Sequence, residues 1–192
     1  MSKELSPQEF EAFRWYIAAH YLRMLRSDPA NKALNFATGT HLLFMLGEIE
    51  GGAGSVKDLG PQAANRWVGF VQGVLFQAGV SGIDGARAIT TDCMEKAAIH
   101  QHVTIEPGIG GAWDAVIYGE VVRSFDLDCH YEDMNAELAA EKMRIVETLH
   151  RAGWVRLPST DTPYAQKVDQ AEVRSAIAQA RKILAAPGSE RF

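Results

Sequence analysis

Ile99-His100-Gln101-His102-Val103-Thr104-Ile105-Glu106 is the stretch at which the chain changes period. On its N-terminal side apolar residues recur every three or four positions, the spacing of one face of a helix. On its C-terminal side Val103 and Ile105 alternate with Thr104 and Glu106, the two-residue period of a strand. The chain therefore reads as a predominantly helical α+β protein, an N-terminal four-helix array followed by a small β-β-α-β-α unit. The boundary falls here, giving a helical domain over 1–98 and an α+β domain over 99–192. No linker separates the two, so a single fused core is compatible with the pattern.

Working back from this point, Ser81 and Asp84 offer N-caps for a helix through about Ala98, with Ile83, Ala86, Ile89 and Met94 as its core side. Before it, Gly60-Pro61 opens the clearest helix of the chain, with Trp67, Phe70, Val71, Val74, Leu75 and Ala78 at helical spacing and Gly79 as its stop. Gly69 and Gly73 lie four apart on one face of that helix. Each lowers helix propensity by roughly 1 kcal/mol relative to alanine, so another helix is expected to pack closely there, with Trp67 and Phe70. A helix from Ala30 to Glu48 carries Leu42-Leu43-Phe44-Met45-Leu46, apolar on most sides and so expected at the centre. The glycine run Gly51-Gly52-Ala53-Gly54 reads as a loop. Ser6-Pro7-Gln8-Glu9 has the form of a capping box and predicts a first helix over 7–27, with Phe10, Phe13, Ile17, Tyr21, Met24 and Leu25 along one stripe.

Working forward, Val116-Ile117-Tyr118 and Val121-Val122-Arg123-Ser124-Phe125 have strand composition, and Gly108, Gly110 and Gly111 mark a turn before them. Leu138, Ile145, Val146 and Leu149 predict a helix over 132–152, closed by Gly153. A short strand at Trp154-Val155-Arg156-Leu157 and a last helix over 169–185 complete the order.

The 192 residues carry 19 basic and 24 acidic side chains, a net charge of −5, which argues against a dedicated nucleic-acid binder. The acids cluster. Residues 106–141 hold nine acids and one base, whereas residues 142–192 hold nine bases and five acids. Mutual neutralisation of the two segments is the simplest reading, and an acidic face made for a partner is the other. No run of apolar residues is long enough to span a membrane, and the first residues lack the apolar core of a signal peptide, so a cytoplasmic location is expected. Cys93 and Cys129 are spaced as free thiols.

No phosphate-binding glycine loop, nucleophile elbow, HExxH pair or cysteine zinc pattern is present, which leans away from an enzyme and predicts no cofactor. One constellation could hold a divalent metal. His100 and His102, two apart at a strand entrance, would point to the same side, with Asp126 and Asp128 completing a mixed ligand set for activating water in a hydrolase or nuclease. The same Asp126 and Asp128, with Glu132 and Asp133, are the candidate interaction surface if the acidic segment serves a partner. Lys142, Arg144, Arg151 and Arg156 around Trp154 allow nucleic-acid binding through 142–156, although Glu137, Glu141 and Glu147 interrupt the basic surface.

Arg66-Trp67-Val68-Gly69-Phe70-Val71-Gln72-Gly73-Val74-Leu75, followed by Gly79 and by Ile83-Asp84 and Arg87, resembles a segment of small proteins encoded by bacteriophages and prophages. The resemblance covers about one eighth of the chain. It implies a bacterial or phage origin and a packed helical element built around the Gly69 and Gly73 face, and it carries no catalytic residue with it; by analogy with phage accessory proteins, a role in binding a host or phage protein is expected. A homodimer through the helical half fits the same reading.

Overall fold

The computed structural model describes residues 6–27, 33–50, 59–127, 133–154 and 169–186. The protein is α+β and predominantly helical, and it divides into two compact units, Met1–Ala97 and Ala98–Phe192.

The first unit is helical. Helix α1, Pro7–Leu25, starts as its capping box requires: Ser6 Oγ accepts from the Glu9 N–H at 3.1 Å, and the Glu9 carboxylate accepts from the Ser6 N–H at 2.9 Å. Its buried stripe is Phe13, Ile17, Tyr21 and Leu25. Helix α2, Phe36–Glu50, packs on α1. Asn35 acts as its cap and takes the Thr38 N–H at 2.9 Å; of the expected 30–48 span, residues 30–32 lie outside the described residues. Arg14 of α1 closes the other end of α2. Its Nε donates to the Ile49 carbonyl at 2.7 Å, and its two terminal nitrogens reach the carbonyls of Leu59 and Glu48 at 3.3 and 3.4 Å. Carbonyls at a helix C-terminus have no partner within the helix, and one guanidinium supplies two of them here.

Helix α3, Pro61–Gln77, buries Ala64, Val68, Val71 and Leu75. Gly79, at φ +71°, ends it: the Val80 N–H returns to the Leu75 carbonyl at 2.9 Å and the Gly79 N–H to Phe76 at 3.0 Å. This double closure needs the left-handed conformation that glycine adopts without steric cost. Helix α4, Ile83–His100, follows. It runs two residues past the expected end at Ala98, through the point where the two units divide.

The second unit carries a three-stranded antiparallel sheet in the order β1 (Val103–Pro107), β2 (Trp113–Ile117), β3 (Glu120–Phe125). Among the described residues these three strands precede the next helix, with 113–117 and 120–125 as separate strands of one hairpin. Tyr118 and Gly119, both at positive φ (51° and 77°), form the two-residue turn between them. That pair of conformations matches the twist of a tight hairpin. Helix α5, Met134–Arg151, packs near β1, and helix α6, Gln170–Leu184, packs against β3 and α5. The core contains Val103, Ala115, Ile117, Ile145, Val146, Leu149, Ile177 and Ala180. Gly153, at φ +69°, closes α5 as Gly79 closes α3. The expected strand over 154–157 lies, beyond Trp154, outside the described residues, as does the glycine loop at 51–54.

Candidate functional site

The two histidines do not share a strand. His100 is the last residue of α4, and His102 sits in the turn behind it, its N–H bonded to the Ile99 carbonyl at 2.9 Å. The geometry that would direct both imidazoles to one side is therefore absent. Helical hydrogen bonding persists through His100, so the strand period begins only at Val103.

His100 is buried, and burial, with the Lys142 ammonium as a second cause, lowers its pKa from 6.5 to about 3. Burial lowers the pKa of Lys142 as well. A second cation at His100 would meet the same desolvation and the same like charge. The His102 ring packs against Tyr118, with centroids 5.3 Å apart, and Tyr118 in turn lies 6.3 Å from Trp154. Asp126 is exposed beyond β3; Asp128, Cys129 and Glu132 lie outside the described residues. Among the described residues no three His, Cys, Asp or Glu side chains come together as a metal site.

Three acids of the segment, Glu120, Glu137 and Glu141, meet bases that follow it. Arg181 on α6 donates to Glu120 at 3.1 Å and to the Val121 carbonyl at 2.9 Å. Arg144 pairs with the buried Glu141 at 3.0 Å and approaches Glu137 at 3.9 Å. Arg123 lies 3.8 Å from Glu141 on its other side. Asp114 accepts a hydrogen bond from Ser124. Asp133 is exposed immediately ahead of α5 and makes no side-chain cap bond. On the basic side, Arg151 pairs with Glu147 at 3.6 Å and Arg144 is engaged as above. Two of the cations proposed to meet phosphates already face carboxylates, which weakens a phosphate-binding surface at 142–151.

The helical unit presents a different kind of surface. The buried positions of α3 leave Arg66, Gly69, Phe70, Gly73, Phe76 and Gln77 on its outer face. An outer helix face ordinarily carries the charged side chains, but from Gly69 onward this one carries glycine and phenylalanine. Phe70 and Phe76 are 50% and 51% exposed. On α2, Leu43 and Phe44 are exposed although Leu42, Met45 and Leu46 beside them are buried, so the apolar run is half core and half surface. The aromatic rings link the two helices: Phe44 lies 6.5 Å from the half-buried Trp67, and His41 meets Phe70 edge-on at 6.3 Å. Ile83 opens α4 with 57% of its surface exposed.

Between α3 and α4 lies a groove of about 640 Å³ lined by Gln72, Gly73, Phe76, Ile83, Arg87 and Thr90. Its floor is fixed by Gln72, whose amide donates to the Tyr21 hydroxyl at 2.9 Å and to Thr90 at 3.2 Å. Among the described residues nothing lies within 4 Å of where a Cβ would stand on Gly69 or Gly73. The helix expected against that face is not supplied by the described part of the chain.

Of the residues singled out in the sequence, Trp67, Gly69, Phe70 and Gly73 come together here, whereas His100, His102 and Asp126 do not form a common site. Leu43, Phe44 and Ile83, expected in the core, are exposed and join that first group, as does Phe76. The available signal was charge: residues 36–47 and 67–83 contain no Asp, Glu, Lys or Arg. Compared with known protein families, curated proteins and solved structures, the chain matches none.

Proposed function

We propose that the protein is a non-catalytic accessory protein of phage or prophage origin that acts in the cytoplasm of a bacterial host by binding another protein. The observation carrying this reading is the exposed aromatic face of α2, α3 and the start of α4. Large apolar side chains clustered at the surface favour a partner that removes them from water, at roughly 25 cal/mol per Å² of apolar area buried. Aromatic residues are the side chains that most often anchor protein interfaces. The acidic segment is a second candidate surface: Glu120, Glu137 and Glu141 have internal partners, whereas Asp126 and Asp133 are exposed.

Placing the photo-cross-linking residue p-benzoylphenylalanine at position 70 tests this, with position 178 on exposed α6 as control. Protein adducts specific to position 70, and lost on Phe44→Glu, are the expected result. Equal labelling at both positions would remove the reading.

A further inference from the structure

We infer that the groove between α3 and α4 takes the C-terminal residue of the partner protein, an apolar one, with its carboxylate on Arg87, its amide N–H on the Gln72 carbonyl oxygen and its side chain against Phe76 and Ile83. The inference rests on the proposed reading of the protein as a binder of another protein and adds which end of that partner it holds.

The protons at the groove floor fix the acceptor. Thr90 donates its hydroxyl proton to the Ala86 carbonyl at 2.9 Å, so the Gln72 atom 3.2 Å from the same hydroxyl has to be the amide nitrogen. The other proton of that nitrogen goes to the Tyr21 hydroxyl at 2.9 Å. Both donors of the Gln72 head are thereby engaged, and α1 and α4 hold the head from two sides. Its carbonyl oxygen makes no hydrogen bond among the described residues, and the interior does not enclose it. A fixed acceptor with its lone pairs open therefore stands in the groove that Gln72 lines, and it calls for an N–H.

Arg87 supplies the charge. It stands one turn before Thr90 on the same face of α4, so its side chain starts about 5–6 Å from the residue on which the Gln72 amide rests. Among the described residues it pairs with Asp84 at 3.7 Å, and the two side chains are 79% and 100% exposed. Water screens such a pair, and only one of the guanidinium's terminal nitrogens takes part in it, so the fork can turn to a carboxylate in the groove. Phe76 and Ile83, both more than half exposed, supply the apolar wall with Ala86.

The last residue of a chain carries an amide N–H, a carboxylate and a side chain on a single Cα, the three groups for which this groove has partners within one turn of α4. An internal Asp or Glu would put its carboxylate on the very side chain that has to cover Phe76 and Ile83. A free amino acid would bring an ammonium to the neutral Gln72 oxygen in place of an amide. At about 640 Å³ the groove falls in the range of small-ligand clefts, roughly 300–1,000 Å³, which suits a chain end rather than a folded surface.

Nuclear magnetic resonance titration of the full chain with the peptides acetyl-Ala-Ala-Phe and acetyl-Ala-Ala-Leu tests the inference, read by the amide signals of Gln72, Phe76 and Thr90. One of the two acids should move these signals and bind about tenfold more tightly than its own C-terminal amide, the effect of one charge-assisted bond. Methylating the last peptide nitrogen should weaken binding by a similar factor, which tests the acceptor without touching the floor. Arg87→Gln, at an exposed position, should abolish the preference for acid over amide while the helical circular dichroism stays unchanged. Equal binding of acid and amide, an N-methyl peptide that binds as well as its parent, or no shift with either peptide at a few millimolar would overturn the inference. So would free phenylalanine or leucine binding more tightly than the peptides, which would give the groove to an amino acid. Adducts at position 70 that persist in any of these cases would leave the wider docking reading standing.

Discussion

Trp154 donates its indole N–H to the carbonyl of Ala176 across 2.9 Å, while its own backbone N–H closes helix α5 on Leu149 at 2.9 Å. One buried residue thus ends α5 and anchors α6. Trp154→Phe keeps the ring contact with Tyr118 but leaves the carbonyl without the indole donor, at an expected loss of about 1–2 kcal/mol. Hydrogen exchange should show the amides of α6 losing protection while those of α1 keep theirs. Equal loss in both helices would mean that Trp154 does not act through α6.

Arg14 provides the corresponding tie in the helical unit, joining α1 to the last carbonyls of α2 and to Leu59. Arg14→Met preserves the aliphatic stem and removes every donor, and should lower stability to urea by about 2–3 kcal/mol. Arg14→Lys should recover less than half of that loss, because an ammonium cannot reproduce the planar fork that serves three carbonyls. Full recovery with lysine would show that charge alone matters.

His100 sets a pH dependence. Its folded-state pKa, lowered to about 3 by burial and by Lys142, lies below the unfolded value of 6.5, so the unfolded chain takes up the proton first. Stability from this group is complete above pH 6.5 and declines as pH falls toward 3, by about 2 kcal/mol between pH 7 and pH 5. Urea midpoints measured at both values should show the difference. His100→Leu should flatten the slope, and an unchanged slope would assign it to other groups.

Gly108 faces Asp114 so closely that a Cβ would lie 2.8 Å from the carboxylate carbon. The carboxylate is held by Ser124 on the neighbouring strand, so it cannot swing away without losing that bond. Gly108→Ala should cost about 1–3 kcal/mol through overpacking, measured as a lower melting temperature. Adding Asp114→Ala should return part of the loss. If the double variant is worse than the sum of its singles, the clash is not the cause.

The sequence made the helix ends most legible, because caps are local chemistry. Ser6 with Glu9, Gly79 and Gly153 each stand in their own few residues, and the structure places helix termini at all three. The cap at Asn35 is local chemistry too, but a lone asparagine without a matching acid three residues on gives little contrast in sequence. The end of α4 was misread because His100-Gln101-His102 has strand-like spacing, while the hydrogen bonds that keep His100 helical leave no trace in residue type. The aromatic face was hidden for another reason. A helix is recognised by its buried stripe, and here the outer side of the helix was also apolar, so Phe70 was assigned to internal packing. What identified that side as surface was the positions of its neighbours in space.

Helix α4 crosses from one compact unit into the other without interruption, with the division falling between Ala97 and Ala98. A protease seeking a susceptible loop at that point meets hydrogen-bonded backbone instead. Cutting the gene there would sever the last turn of the helix. A genetic exchange that recombined the two units with other modules would have to take the whole of α4 with one side or the other to keep the helix intact.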